Sequence, residues 1–227
     1  FPGCGERDAI YANHGLYLDS IEGTIAKGCQ PGILDGNPLA EDLFEIEEKL
    51  SADLAIHGIL DSHGSLCDLL FGCGRGSFLR SCGLHGKNCE VTSPQFDTVI
   101  ASCGGYPKDI NFIQSHKAVH NASMFVRDGG LLLIYAECRD GVGSNTFLPW
   151  FKMESFDTAF KELSSRYQGN GGTALAMMTK LQRIHIAMVT RLDDETCQLI
   201  GMERWSHSRV AAYLTDQKNA QTIAFIA

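Results

Sequence analysis

Gln114 and Lys117 are the residues whose types and spacing most suggest chemistry. Three positions apart on a predicted helix they share one face, so an amide and an ammonium point to one place, where a carboxylate, a sulfur anion or a phosphate could be held. Just ahead of them runs SCGGYPKD, residues 102–109, with Gly104 and Gly105 between a short apolar segment and the helix. Ligands of open parallel α/β sheets collect at such turns, where glycine lets the backbone approach closely and a helix N-terminus offers free N–H groups. Taken alone, a solvated helix face explains Gln114 and Lys117 more often than a site does. His116 and His120 have the i, i+4 spacing of metal ligands, but no Glu stands between them in the zincin order and no third ligand is near. GCGRG at 72–76 lacks the spacing of a dinucleotide fingerprint and reads as a tight turn before a short helix. His14 is a lone histidine near the end of an amphipathic segment, and Trp150 and Trp205 read as core or lobe-interface residues.

The elements that must position these residues follow from periodicity and punctuation. Residues 1–92 are rich in glycine and proline turns (1–5, 28–38, 72–76), with helices expected at 6–17 and 39–52 and strands at 54–60 and 67–71. From residue 93 the pattern is more regular. A strand at 96–101 leads to a helix at 109–126, with Pro107 near its first turn; Gly129-Gly130 ends it, and LLLIYA at 131–136 is a continuous apolar strand suited to a sheet covered on both faces. Helices near 147–167, 173–183, 193–201 and 208–215 alternate with strands at 184–190 and 222–226. The expected class is α/β, a Rossmann-like, largely parallel, doubly wound sheet. The expected organisation is 1–92 as the remainder of an N-terminal lobe, 93–210 as a Rossmann-like C-terminal lobe, and 211–227 as a returning helix end and last strand.

Bulk properties narrow the partners. The 227 residues are 44% hydrophobic and 20% charged, enough for a true core. A net charge of -8 with scattered Lys and Arg argues against nucleic acid, although one well-placed cation can still bind a small anion. No apolar run approaches the roughly 18 residues of a membrane span. The nine cysteines form no CxxC pair, which argues against structural zinc and for mostly buried thiols in a reducing compartment. With no signal sequence in view, a cytoplasmic location is expected, and an opening without methionine suggests a fragment.

Three segments, in order, carry a resemblance: FPG at 1–3 followed by His14, LDGNP at 34–38, and GGYPKDINFIQSHKA at 104–118. The last resembles the GGYPxDxNxxQxxK signature of the nickel-dependent lactate racemase family, and the similarity runs from residue 1 to about residue 145. The resemblance implies the C-terminal portion of a two-lobed racemase or epimerase of lactate or another 2-hydroxy acid. Its cofactors would be nickel and a nickel-pincer, nicotinate-derived mononucleotide, made by cofactor-maturation proteins, and hydride would move from the substrate carbon and back to the opposite face. Carried over, His14 would ligate nickel, Gln114 and Lys117 would face the substrate with Lys117 as carboxylate clamp, and Gly104 and Gly105 would lie against the cofactor. The family's cofactor-bearing lysine and its catalytic histidine pair lie upstream of the matched segments, so the implied partners include an N-terminal segment, and the chain alone is expected to be inactive. Ile113 stands where the family often carries an aromatic residue, which leaves the particular hydroxy acid open. The alternatives are a non-catalytic lobe that binds an anionic metabolite, and a nicotinamide-dependent oxidoreductase, which the broken glycine fingerprint disfavours.

Overall fold

A computed structural model describes residues 5–61, 64–216 and 222–226. The chain divides into two compact units, Phe1–Thr92 and Ser93–Ala227.

In the first unit, α1 (Arg7–Gly15) is followed by the two-residue pair β1 (Leu18–Asp19) and β2 (Thr24–Ile25), then by α2 (Pro38–Lys49), β3 (Ala55–Leu60), β4 (Leu66–Gly72) and α3 (Gly74–Cys89). The turn before α2 explains the LDGNP segment. Asn37 caps the helix by accepting from the Leu39 N–H at 3.1 Å, Pro38 occupies the first helical position where it needs no N–H partner, and the Asn37 amide donates back to the Ile33 carbonyl. A Cβ on Gly28 would lie 2.0 Å from the Gly36 carbonyl oxygen, so only glycine fits that crossing. Strands β3 and β4 pair antiparallel, with Ile56 opposite Phe71 and Gly58 opposite Leu69. One face of this hairpin lies on α3, where the His57 imidazole meets the Ser77 hydroxyl at 3.0 Å. The glycine-rich stretch at 72–76 does turn sharply, with Gly74 at φ +68°, but the helix it opens is sixteen residues long rather than short.

The second unit holds β5 (Phe96–Ser102), α4 (Phe112–Ser123), β6 (Val126–Tyr135), a 3-10 turn (Leu148–Lys152), α5 (Phe156–Ser165), α6 (Gly171–Arg183), β7 (His185–Val189), α7 (Asp194–Ile200), β8 (Glu203–Arg204), α8 (His207–Thr215) and β9 (Ile223–Ile226). Its five strands run parallel in the order β8-β7-β6-β5-β9. The α/β class and the largely parallel sheet expected from sequence are present.

Alternation along β5 and β6 sends Ile100 and Leu133 to a cluster with Ala187, Trp205 and Val210, the last on α8. Val99, Leu132 and Ile134, pointing the other way, are fully buried, and α4 packs against β5 and β6. Burial on both faces is why these strands are continuous apolar runs rather than alternating ones. Trp150 and Trp205 are both buried.

Both ends of α4 differ from expectation, and the helix expected near 147–167 is a 3-10 turn at Leu148–Lys152 followed by α5 from Phe156. Helix α4 begins at Phe112, not 109, because Asn111 is extended and caps it, its side chain accepting from the Gln114 N–H at 3.0 Å. It ends at Ser123, and Gly129-Gly130 lies inside β6 instead of closing the helix. Gly130 is needed there for space, since a Cβ would meet the Asp97 carbonyl oxygen and the Val126 side chain at 2.7 Å.

Candidate functional site

The turn from β5 to α4 lies at the carboxyl end of the sheet and is held from three sides. Gly104 and Gly105 take φ of +79° and +68°, a conformation costly for any residue with a Cβ, and the Gly104 N–H donates to the Ser102 hydroxyl at 3.0 Å. The bond between Tyr106 and Pro107 is cis. Buried Asp109 then ties the turn to the end of β6: its carboxylate accepts from the Glu137 N–H at 2.9 Å, and its carbonyl accepts from the Cys138 N–H at 2.9 Å. The first N–H groups of α4, on Phe112 and Ile113, donate to the carbonyls of Gly141 and Val142. The helix start is thus satisfied by protein rather than left open.

From this base α4 presents two opposite faces. Gln114 and Lys117 are on the exposed face, and the Lys117 ammonium donates to the Gln114 side-chain oxygen at 2.9 Å. The structure therefore brings together two of the residues singled out from sequence, in a geometry that leaves the amide NH2 and two ammonium protons able to donate to an anion. Lys108 lies near the turn as well, its side chain 3.1 Å from where a Cβ on Gly104 would stand. Around Gly105 such a Cβ meets nothing within 4 Å. At the rim the Arg139 guanidinium stacks on Tyr106, 4.0 Å from the ring centre.

The inner face of α4 carries chemistry that the sequence did not reveal. His116 is only 8% exposed, and its Nε2 has no hydrogen-bond partner among the described residues. Lys180 of α6, equally buried, donates to the Ala176 carbonyl of its own helix at 2.9 Å. Desolvation first, and the nearby Lys180 charge second, push His116 down to about 3 and half-buried His120 down to about 4. Burial likewise pulls Lys180 down to about 8. At neutral pH both imidazoles are uncharged. The i, i+4 histidine pair is accordingly core, packed with Phe112, whose ring centre lies 6.3 Å from that of His116.

Nearby thiols are equally inert. Burial drives Cys103 up to about 12 and raises Cys138, so neither supplies a thiolate near neutrality. Of the eight described cysteines, all free, five are buried or half-buried, while Cys67, Cys73 and Cys89 are exposed; Cys4 lies outside the described residues. Among the described residues no three His, Cys, Asp or Glu side chains cluster so as to hold a metal, and no helix is long and apolar enough to cross a membrane.

His14 belongs to the first unit, in the last turn of α1, half-buried. Its neighbour Asn13 anchors that turn by donating to the Leu39 carbonyl at 3.2 Å and to the Asp42 carboxylate at 2.8 Å. Helix α2 is thereby tied to the turn of α1 that carries His14. The Phe-Pro-Gly opening lies outside the described residues.

Support of α4 is itself testable. Gly143, at φ +86°, leaves no room for a Cβ, which would lie 2.2 Å from the Asn111 side chain that caps α4. Gly143→Ala should destabilise the unit by about 1–2 kcal/mol from the left-handed backbone alone, and more from the clash. Thermal unfolding checks this, and an unchanged melting temperature would mean that the cap does not depend on this contact.

A parallel α/β unit with an amide–ammonium pair behind a glycine turn is a domain of the open-sheet α/β class. Comparison makes the class particular: residues 91–196 match the family profile of the lactate racemase C-terminal domain, and the similar curated proteins are lactate racemases. The lactate racemase of Thermoanaerobacterium thermosaccharolyticum is 31% identical over 151 residues, 66% of this chain and 34% of that protein. That of Lactiplantibacillus plantarum is 25% identical over 147 residues, 64% of this chain and 33% of that protein. Among solved structures, the lactate racemase apoprotein from T. thermosaccharolyticum superposes with a TM-score of 0.82 at 24% identity, covering 96% of this chain and 53% of that one. A crystal structure of a protein from Thermotoga maritima gives 0.57 at 11% identity, over 84% of this chain and 51% of that one. At these identities the structural likeness concerns fold. The chain spans about a third of the length of the curated relatives it matches.

Proposed function

We propose that this chain is the C-terminal part of a racemase or epimerase of lactate or a related 2-hydroxy acid. The observation that carries the reading is the Lys117 ammonium set 2.9 Å from the Gln114 amide on the exposed face of α4, within the family-matched region. Lys117 and Gln114 hold the substrate carboxylate by charge-assisted hydrogen bonds, which fix the 2-carbon relative to the reacting group. Gly104 and Gly105 let the backbone of the turn approach a bound nucleotide, and around Gly105 there is open space to do so.

His14 fits nickel as a single imidazole donor. With no cluster of three candidate ligands among the described residues, a metal at His14 takes its remaining donors from a bound cofactor, as the nickel-pincer nucleotide would provide. That group, when bound, supplies a hydride acceptor, so that the carbon next to the hydroxyl need never become a carbanion. The acid/base pair and the attachment lysine belong to a segment beyond this chain. The complete protein acts on a small-molecule 2-hydroxy acid, after cofactor-maturation proteins have loaded it, in the cytoplasm.

Expression of the complete protein with cofactor-maturation enzymes, followed by intact mass and metal analysis, tests the reading. A covalent nucleotide-sized adduct and about one nickel per chain support it. An unmodified, nickel-free mass beside a loaded racemase control would leave an anion-binding lobe without catalysis. In the loaded protein His14→Ala should lose most of the nickel while folding normally, and full nickel content in that variant would remove His14 from the centre.

A further inference from the structure

The β3–β4 hairpin is covered on one side only. Its inner face, with His57 and Ile59, lies against α3, whereas Ile56, Leu60, Leu66, Leu69 and Phe71 are between 42% and 61% exposed. The antiparallel register places Ile56 beside Phe71 and Leu69 opposite Gly58, so these side chains form one continuous apolar surface rather than scattered contacts. Among the described residues neither strand pairs with a further strand, so both outer edges also carry unpaired backbone groups. A two-stranded sheet with a bare apolar face is marginal in water, and a contiguous patch of this kind marks a surface that meets another surface.

The relatives indicate the occupant. The solved racemase apoprotein matches 96% of this chain, yet that match uses only 53% of its own length. Nearly half of that polypeptide has no counterpart here. The five-stranded sheet of the second unit already buries both of its faces, as the full burial of Val99, Leu132, Leu133 and Ile134 attests. The first unit offers the open one. We infer that the outer face of the β3–β4 hairpin is the docking surface for the portion of the racemase polypeptide that this chain does not span, which completes the layer with apolar side chains and satisfies at least one strand edge. This deepens the functional reading and rests on it for the identity of the partner.

Amide hydrogen exchange in the 227-residue chain and in the product of its complete reading frame tests the inference, with β5 to β7 as internal reference. In the complete product the amides of residues 55–72 should exchange about 100-fold more slowly than in the 227-residue chain, while the reference strands change little. Phe71→Asp should abolish that added protection in the complete product and leave exchange in the shorter chain as it was, because there the side chain already faces water. Leu69→Ser, which removes apolar contact without adding charge, should reduce the protection in the same direction if the aspartate variant does not fold. Equal exchange in the two proteins, a reading frame that adds no further residues, or a 227-residue chain that sediments as a dimer and becomes a monomer on Phe71→Asp, would overturn the assignment. Racemase activity of the complete product is read separately. A protected hairpin without activity sinks the reaction and keeps the surface, and an active enzyme with an unprotected hairpin does the reverse.

Discussion

Acidification from pH 6.5 to 4 should strongly destabilise the second unit, and the loss should begin before ordinary carboxylates titrate. The cause is the inner face of α4. His116 is held down to about 3 and His120 to about 4, by burial first and by the Lys180 charge second. In the unfolded chain both would titrate near 6.5, so between the two ranges the unfolded state binds more protons than the folded one, and stability falls as pH falls. The stability is fully present above 6.5, is lost progressively below it, and changes no further once pH has passed the folded values. For His116 the loss is on the order of several kcal/mol, comparable with the whole stability of an average domain. His120 adds less, since water reaches it and screens its charge.

Lys180 runs on the same logic at the other end. Its depressed value of about 8 makes stability rise further from pH 8 toward 10.5. Lys180→Met should therefore stabilise the unit at neutral pH, by about 1–2 kcal/mol where a buried charge without a carboxylate partner is replaced by an apolar chain of similar length. It should also shrink the acid loss, because the neighbouring charge that opposes imidazole protonation is gone. Chemical denaturation at a series of pH values reads both effects. A flat profile between 6.5 and 4, or a destabilised methionine variant, would show that the cluster is better solvated than its burial indicates.

The second large effect falls on turnover. In the complete, cofactor-loaded enzyme Lys117→Ala should lower kcat/KM roughly 10- to 100-fold, the equivalent of one charge-assisted hydrogen bond of about 1.5–3 kcal/mol to a carboxylate. Folding should be nearly untouched, since an exposed helical position usually changes stability by about half a kcal/mol or less. Lys117→Arg keeps the charge but alters its geometry and its bond to Gln114, and should recover part of the loss. A large fall in melting temperature with unchanged kinetics would instead make Lys117 a structural residue whose only partner is Gln114.

The two predictions concern opposite sides of one helix, and they differ in how far sequence could reach them. Gln114 and Lys117 were legible because their pairing depends only on local helical spacing. The burial of His116 was not, because nothing near residue 116 announces that residue 180 will pack beside it. That contact exists only once the sheet has brought α4 and α6 to the same face. Glycine misled for a similar reason. Gly129-Gly130 has the local character of a helix stop, yet at Gly130 the requirement is space against Val126 and the Asp97 carbonyl across the sheet. The continuous apolar runs of β5 and β6, in contrast, carried the parallel, two-sided sheet plainly, since strands buried on both faces cannot alternate.

Helix α4 also limits how the protein could be retuned by engineering. Along its first three turns Phe112, Ser115, His116 and Val119 are buried, while Gln114 and Lys117 carry the proposed anion contact. Between those two demands, Ile113 and Ala118 are half-buried positions committed to neither. On the proposed reading, a library aimed at changing substrate preference would do best to start at Ile113, beside the glutamine and next to the turn, and leave the rest of the helix alone.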